Sequence, residues 1–151
     1  MNGTATIAIR LWTWAAMLRV LKHVVPLATL VSFARRRPAG GDGSTRLKSR
    51  LESYLEMRGR FPFRPPANCL ERSLGAYRLL CEANADPALV VGVRRSAQAI
   101  EGHVWVTTAG RALAEREEDL ATYAIVVTFD AKGRQLTTAG FEAALATLRV
   151  R

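Results

Sequence analysis

A proline-rich segment placed directly before an amphipathic pattern constrains this chain more than any other feature. Residues 61–68 (Phe-Pro-Phe-Arg-Pro-Pro-Ala-Asn) contain three prolines, which remove backbone N–H donors and push the preceding residues toward extended backbone. A helix can therefore begin only after this segment, and Asn68 is a favourable N-cap residue. The spacing predicts a helix over residues 69–82 that starts at Cys69, with one apolar face formed by Leu70, Leu74, Tyr77 and Cys81.

The position of Cys69 in the first turn of this helix has a chemical consequence. Unpaired N–H groups and the helix dipole stabilise a thiolate there, and they can also hold a developing oxyanion. Cys81 lies twelve residues further along the same helix, about 18 Å away. The two cysteines therefore cannot form an intramolecular disulfide, and Cys81 is expected to be a small buried residue. Two cysteines and two histidines without close spacing also predict no zinc site.

Short strands are predicted after the helix. Residues 88–93 are a continuous apolar run, and residues 102–108 alternate so that His103, Trp105 and Thr107 share one face. A turn at Ala109-Gly110 precedes a third predicted strand over residues 111–115. One helix followed by short antiparallel strands indicates an α+β fold.

The length of the hairpin loop decides which residue lies opposite His103. A three-residue loop with Gly110 in the left-handed conformation places Glu115 opposite His103, on the same face. A two-residue loop places Arg116 there instead. The sequence thus permits a contact between His103 and Glu115 without requiring it.

Positive charge is concentrated near the N-terminus. Residues 1–50 hold nine of the 22 basic residues but only one of the 13 acidic ones. A nucleic-acid binder usually carries such charge on a folded face, so nucleic-acid binding is the least favoured function. The charge run and glycines of residues 35–44 predict a linker. We therefore divide the chain into a basic helical appendage with linker, residues 1–46, and a main domain, residues 47–151.

The apolar run of residues 7–33 is interrupted by Arg10, Arg19, Lys22 and Pro26. Its uncharged stretches are too short to span a bilayer, and it lacks the layout of a signal peptide. One or two helices are expected, with an apolar face that packs on the main domain or, alternatively, docks on a partner or a membrane surface. That face is formed by Leu11, Trp14, Ala15, Leu18, Leu21 and Val25.

The remaining segments are interpreted as scaffold. The pattern predicts a helix over residues 45–58, a strand over residues 122–129, a short strand over residues 135–138 and a closing helix over residues 141–150. With no signal peptide and an unpaired cysteine, a cytoplasmic location is expected, with contact to the inner face of the membrane left open.

Three blocks of the sequence together resemble a known family. The blocks are Cys69-Leu-Glu-Arg-Ser-Leu, Leu89-Val-Val-Gly-Val-Arg94, and Gly102-His-Val-Trp-Val106 followed by Gly110-Arg111. In this order they resemble the lasso-peptide leader peptidase family, transglutaminase-like maturation proteases related to the C-terminal domain of the microcin-processing protein McjB. The resemblance covers about residues 47–127.

The resemblance implies a papain- or transglutaminase-like core, in which a nucleophile helix packs on a small antiparallel sheet, and a Cys-His-Asp triad. Cys69 matches the nucleophile and His103 the general base. The acid of the family stands about twelve residues after the histidine, where this chain has Glu115 instead of Asp. If the hairpin is shifted, a neighbouring acid can replace Glu115: Glu117, Glu118 or Asp119. Asn68 is a weak candidate for an oxyanion donor. Trp105 is a candidate wall of the substrate groove or shield of the triad, and core packing is an equal interpretation of it.

The same resemblance implies a reaction and partners. A cysteine endopeptidase would remove the leader peptide from a ribosomally made lasso-peptide precursor and free the core N-terminus for an ATP-dependent macrolactam cyclase. Residues 1–46 lack the strand pattern of a leader-recognition domain, so a separate recognition protein is expected to present the leader. The cleavage chemistry is expected to need no cofactor or metal, and the sequence leaves its ATP dependence open. The alternatives are an acyl transferase or deamidase on the same fold, and a non-enzymatic adaptor in a maturation complex.

Overall fold

Helices dominate the first half of the chain and strands the second. The computed structural model describes residues 3–35, 44–57, 68–97 and 99–136. The helices are α1 (Gly3–Leu21), α2 (Leu27–Ala34), α3 (Ser44–Met57), α4 (Cys69–Glu82) and α5 (Glu117–Leu120), and the strands are β1 (Pro87–Arg95), β2 (Ile100–Thr108), β3 (Arg111–Ala112), β4 (Ala124–Phe129) and β5 (Gln135–Leu136). The predicted α+β fold is confirmed.

The five strands form one antiparallel sheet in the order β3-β2-β1-β4-β5. β1 is central, since it pairs with β2 on one side and β4 on the other. β3 pairs only with Thr107 and Thr108 of β2, so the remainder of β2, which includes His103, has no strand on its outer side in the described part of the chain.

The helices cover one face of this sheet. α4 packs on β1 and β2, and α1 and α2 pack on α4. The strand residues that face the helices include Val104 and Val106, whereas Val90 and Trp105 form a second, smaller cluster on the opposite face. Successive side chains of β2 therefore point to opposite faces of the sheet, as in any β-strand.

The packing predicted for the N-terminal helix face is confirmed. Leu11 and Leu18 are buried, and Trp14, Leu21 and Val25 pack against the same core. α1 approaches α4 so closely that a Cβ added at Gly75 would lie 2.8 Å from Cδ2 of Leu11.

Basic residues of α1 and of the turn that follows it pair with acids of α4. Glu71 is only 3% exposed, and its carboxylate lies 2.9 Å from Nζ of Lys22 and 3.6 Å from Nε of Arg19. Arg10 pairs with Glu82 further along α4. Part of the N-terminal charge thus joins α1 to the helix that begins with Cys69. The boundary at residue 46 stays a prediction, because the expected linker overlaps residues 36–43, outside the described residues.

Several predicted bounds differ from the structure. The third strand ends at Ala112 rather than residue 115, and the fourth begins at Ala124 rather than 122, after a short helix, α5, that the pattern did not indicate. The closing helix predicted over residues 141–150 lies outside the described residues. Within the described ranges, no helix combines the length and apolar character needed to cross a membrane.

Candidate active site

The start of α4 has the geometry predicted from its N-cap. Asn68 has extended backbone (φ −67°, ψ 169°), and its side-chain Oδ1 accepts a hydrogen bond of 2.9 Å from the backbone N–H of Glu71. Cys69 is the first residue of the helix, partly buried and not in a disulfide. The thiol therefore lies at the positive end of a helix dipole. The capping bond uses Oδ1 of Asn68 as its acceptor, and the side-chain NH₂ is the group that could donate to an oxyanion.

Cys81 differs from Cys69 in its surroundings. It is 4% exposed within the hydrophobic core, and its Sγ lies 3.7 Å from the carbonyl oxygen of Ala131. The core position predicted for Cys81 is confirmed, and Cys69 is the more accessible of the two thiols.

His103 lies on β2 opposite Gly92 of β1. Its ring stacks on the indole of Trp105 with centroids 5.9 Å apart and an interplanar angle of 21°, and it lies 5.3 Å from the ring of Tyr123. Trp105 is only 5% exposed, so it covers one side of the imidazole while presenting little surface of its own. This burial fits shielding of the ring better than lining of an open groove.

Glu115 contacts the imidazole. Its Oε2 lies 3.3 Å from Nε2 of His103, and both side chains are about one-fifth exposed, 20% for Glu115 and 19% for His103. Because Nε2 faces the carboxylate, Nδ1 is the nitrogen left to exchange a proton with a thiol. The other candidate acids lie on α5. Among the described residues, only Glu115 brings a carboxylate to His103.

The route to this contact differs from the predicted one. Thr108 pairs with Arg111 and Thr107 with Ala112, so the loop has two residues, which is the alternative that does not by itself place Glu115 opposite His103. Continued pairing would have placed Arg116 opposite His103. Instead the ladder ends after the bond between the Leu113 N–H and the Val106 carbonyl, and Ala114 adopts φ +54°. That left-handed residue turns the chain so that Glu115, not Arg116, faces the imidazole.

A third side chain holds Glu115 from the helix side. Nη2 of Arg72 lies 2.7 Å from Oε1 of Glu115, the oxygen that does not face His103. The sequence patterns above do not point to Arg72. The available signal was its place one turn after Cys69, on the same face of α4.

Two hydrogen bonds show how α4 lies along β2. Ser73 Oγ donates to the carbonyl oxygen of Val104 at 2.7 Å, and Thr108 Oγ1 donates to the carbonyl oxygen of Ala85 at 2.8 Å. The helix therefore runs in the direction of β2, and its first residue, Cys69, lies toward the end of the strand that carries His103.

Two sets of contacts hold the site together. His103 and Glu115 are in direct contact, and Arg72 and Ser73 connect them to the first turns of α4. The imidazole stacks on Trp105, on the sheet face away from α4. The Arg72–Glu115 pair connects α4 to that face around the edge of β2 that does not pair with β1. In the described part of the chain, Cys69 makes no hydrogen bond to His103. The Cys69 thiol, the imidazole and the carboxylate therefore lie on neighbouring segments, but only the last two touch.

The comparisons with known proteins add a family. A family model described as the transglutaminase-like superfamily matches residues 8–128. This range includes every candidate site residue and extends across the predicted boundary at residue 46. Searches of curated proteins and of solved structures found no significant match.

Proposed function

The chain belongs to the transglutaminase-like superfamily, and on that basis we propose that it is a cysteine endopeptidase that removes the leader peptide from a lasso-peptide precursor. The superfamily supports cysteine-protease or acyl-transferase chemistry. The narrower proposal comes from the resemblance of the three sequence blocks to lasso-peptide leader peptidases.

One observation carries the enzymatic part of this proposal. The helix that begins with Cys69 is joined through Arg72 to Glu115, and Glu115 contacts His103. A thiol at a helix N-terminus, an imidazole and an oriented carboxylate are the groups that covalent acyl transfer uses. The described residues show no hydrogen bond between Cys69 and His103, so the proposed mechanism requires that this bond form when substrate is bound.

In the proposed reaction, the thiolate of Cys69 attacks the carbonyl carbon of the scissile amide. The backbone N–H of Cys69 and, as a weaker candidate, the amide NH₂ of Asn68 hold the oxyanion. His103 then donates its proton to the leaving nitrogen as the C–N bond breaks. A water molecule that gives a proton to His103 attacks the thioester, which releases the leader as a carboxylic acid and restores the thiol.

The proposed partners follow from the same reaction. The substrate is a lasso-peptide precursor presented by a separate leader-recognition protein, and the product passes to a macrolactam cyclase. We propose a cytoplasmic location, and contact of the N-terminal helices with a membrane surface belongs to the proposal as well. No cofactor takes part in the cleavage chemistry.

Mass spectrometry of a precursor peptide incubated with the protein and its recognition partner tests the proposal. Short peptides encoded beside the gene are the candidate precursors. We expect a leader-sized fragment with the wild type and with Cys81→Ala, and none with Cys69→Ala. Equal cleavage by the wild type and Cys69→Ala would remove Cys69 from the mechanism.

The product also separates the alternatives on this fold. An uncut peptide of changed mass would indicate an acyl transferase or deamidase. An adaptor would leave every peptide unchanged, and its Cys69 would react with iodoacetamide near neutral pH at the rate of an ordinary exposed thiol.

A further inference from the structure

Arg72 and His103 contact opposite oxygens of one carboxylate. Nη2 of Arg72 lies 2.7 Å from Oε1 of Glu115, and Nε2 of His103 lies 3.3 Å from Oε2. We propose that Arg72 is a positioning residue, which fixes the Glu115 carboxylate beside His103 and so selects the imidazole tautomer that leaves Nδ1 free to take the thiol proton. This inference rests on the proposed function for its consequence in catalysis, but the positioning itself can be observed without it.

Glu115 needs such a support because its own backbone offers little. It follows Ala114, a left-handed residue, and lies beyond the end of β3, outside the ladder. A glutamate side chain has more rotatable bonds than an aspartate, so holding its carboxylate in one place costs more conformational entropy. The contact with a guanidinium, which binds a carboxylate in a fixed plane, limits that freedom.

The position of Arg72 on α4 makes this support specific to the site. Arg72 lies three residues after Cys69, so both side chains project from the same side of the first helical turns. Ser73, the next residue, fixes this part of α4 to the carbonyl of Val104. The acid is thereby held by the same rigid element that carries the nucleophile, although Glu115 and Cys69 are far apart in sequence.

The charge of Arg72 argues against a different role, that of strengthening the attraction between Glu115 and a protonated imidazole. A guanidinium beside Glu115 offsets part of the attraction between the carboxylate and an imidazolium. Both Arg72 and Glu115 are also partly exposed, with side-chain exposures of 35% and 20%, so solvent weakens the pair. The benefit we infer is therefore geometric.

The first test determines the tautomer of the His103 imidazole directly by ¹⁵N NMR. The chain has two histidines, and a His23→Gln background leaves only the signals of His103. With Arg72 present, we expect the neutral ring to carry its proton on Nε2. In Arg72→Gln we expect a mixture with the Nδ1–H tautomer, and in Arg72→Lys a return toward the wild-type pattern.

Arg116→Gln is the matched control. It removes the same charge from the residue that follows Glu115, but Arg116 is 78% exposed and pairs with Glu118, so the signals of His103 should not change. Thermal unfolding verifies that each variant folds. A folded Arg72→Gln whose ring keeps the wild-type tautomer would overturn the positioning role, whether or not the protein cleaves peptides. If Arg72→Gln does not fold, a tautomer mixture in Arg72→Lys supports the role and an unchanged tautomer there overturns it.

The second test is a double-mutant cycle on leader cleavage. We expect Arg72→Gln to lower kcat by about tenfold to hundredfold at unchanged KM, as misplacement of a catalytic group does. In a Glu115→Gln background the same change should cause little further loss, because Arg72 acts through Glu115. Additive losses, or a rise in KM alone, would assign Arg72 to substrate binding instead. A protein that cleaves nothing while its ring responds as predicted would refute the proposed function and leave the positioning intact.

Discussion

The hydroxyl of Ser73 donates a hydrogen bond of 2.7 Å to the backbone carbonyl oxygen of Val104, the residue that follows His103. That carbonyl points away from β1, toward the side of β2 that β3 does not reach. The Ser73 side chain thus takes the place of a neighbouring strand and holds α4, which begins with Cys69, against β2, which carries His103. This bond is thus one of the contacts that set the placement of Cys69 relative to His103.

Replacing Ser73 by alanine should therefore affect both stability and the site. The hydroxyl is buried, and its loss leaves the Val104 carbonyl without a partner, which costs about 1–2 kcal/mol of unfolding free energy. Urea unfolding measures this loss. Ser53→Ala is the control, because its hydroxyl bonds only within the exposed surface of α3 and should change stability by less than about 0.5 kcal/mol. Equal effects of the two changes would show that the link to β2 is unimportant.

Glu115 should tolerate shortening better than loss of charge. Glu115→Gln keeps the length of the side chain but removes the charge that orients His103, and we expect cleavage to fall at least about 100-fold. Glu115→Asp keeps the charge but cannot reach both Arg72 and His103 from the same backbone, and a smaller loss, about tenfold, is expected. Single-turnover cleavage of the precursor distinguishes the two.

The control for the two Glu115 variants is Glu118→Gln, since Glu118 is 77% exposed and contacts Arg116. Unchanged cleavage by Glu115→Gln would mean that another acid orients His103. The acids of α5 would then again be candidates for the residue that orients His103.

Much of this site could be predicted from the sequence because local rules act strongly there. The prolines and Asn68 fixed the start of α4, and alternation along β2 placed His103 and Trp105 on one face. Both predictions depend on residues close together in the chain. The helix bounds predicted at 69–82 are confirmed.

The hairpin could not be predicted correctly by the same means. Its two-residue loop puts Ala109 at φ +50° and Gly110 at φ +74°, and an alanine seldom adopts positive φ, so residue preferences do not identify this loop among the two lengths that the sequence left open. Ala114 is a second left-handed alanine. Glu115 reaches His103 through these two residues, so the contact that the sequence permitted through a three-residue loop forms along a different backbone path.

Gly92 should be intolerant of any side chain. A Cβ there would lie 2.9 Å from Cη2 and Cζ3 of Trp105 and 3.0 Å from Cβ of Tyr123, the two rings that pack against His103. We expect Gly92→Ala to displace these rings and cost about 1–3 kcal/mol, with a changed near-ultraviolet circular dichroism spectrum. Gly102→Ala is the matched control, because a Cβ at that strand position meets nothing within 4 Å. Similar spectra for both variants would contradict the predicted crowding.

The ion pair between Lys22 and Glu71 should matter more than its surface counterparts. Lys22→Met leaves a buried carboxylate with only the longer contact to Arg19, and we expect a loss of about 2 kcal/mol in unfolding free energy. Lys132→Met makes the same substitution at an exposed position and should change stability by less than about 0.5 kcal/mol. If Lys22→Met were equally neutral, the pair between Lys22 and Glu71 would contribute nothing measurable to stability.

The guanidinium of Arg94 contacts both Tyr123, one of the rings beside His103, and Glu101, near the first residue of β2. It contacts the carboxylate of Glu101 at 2.7 Å and lies 4.8 Å from the ring of Tyr123. Its hydrogen bond and charge lower the pKa of Glu101 below the ordinary value of 4.5. In Arg94→Gln the pKa of Glu101 should therefore rise toward 4.5, which a carboxyl ¹³C NMR titration measures. Arg95→Gln changes the neighbouring exposed arginine and should leave that pKa as it is. A Glu101 pKa unaffected by Arg94→Gln would mean that the pair does not persist in solution, and Tyr123 would then lack the cation that lies over its ring.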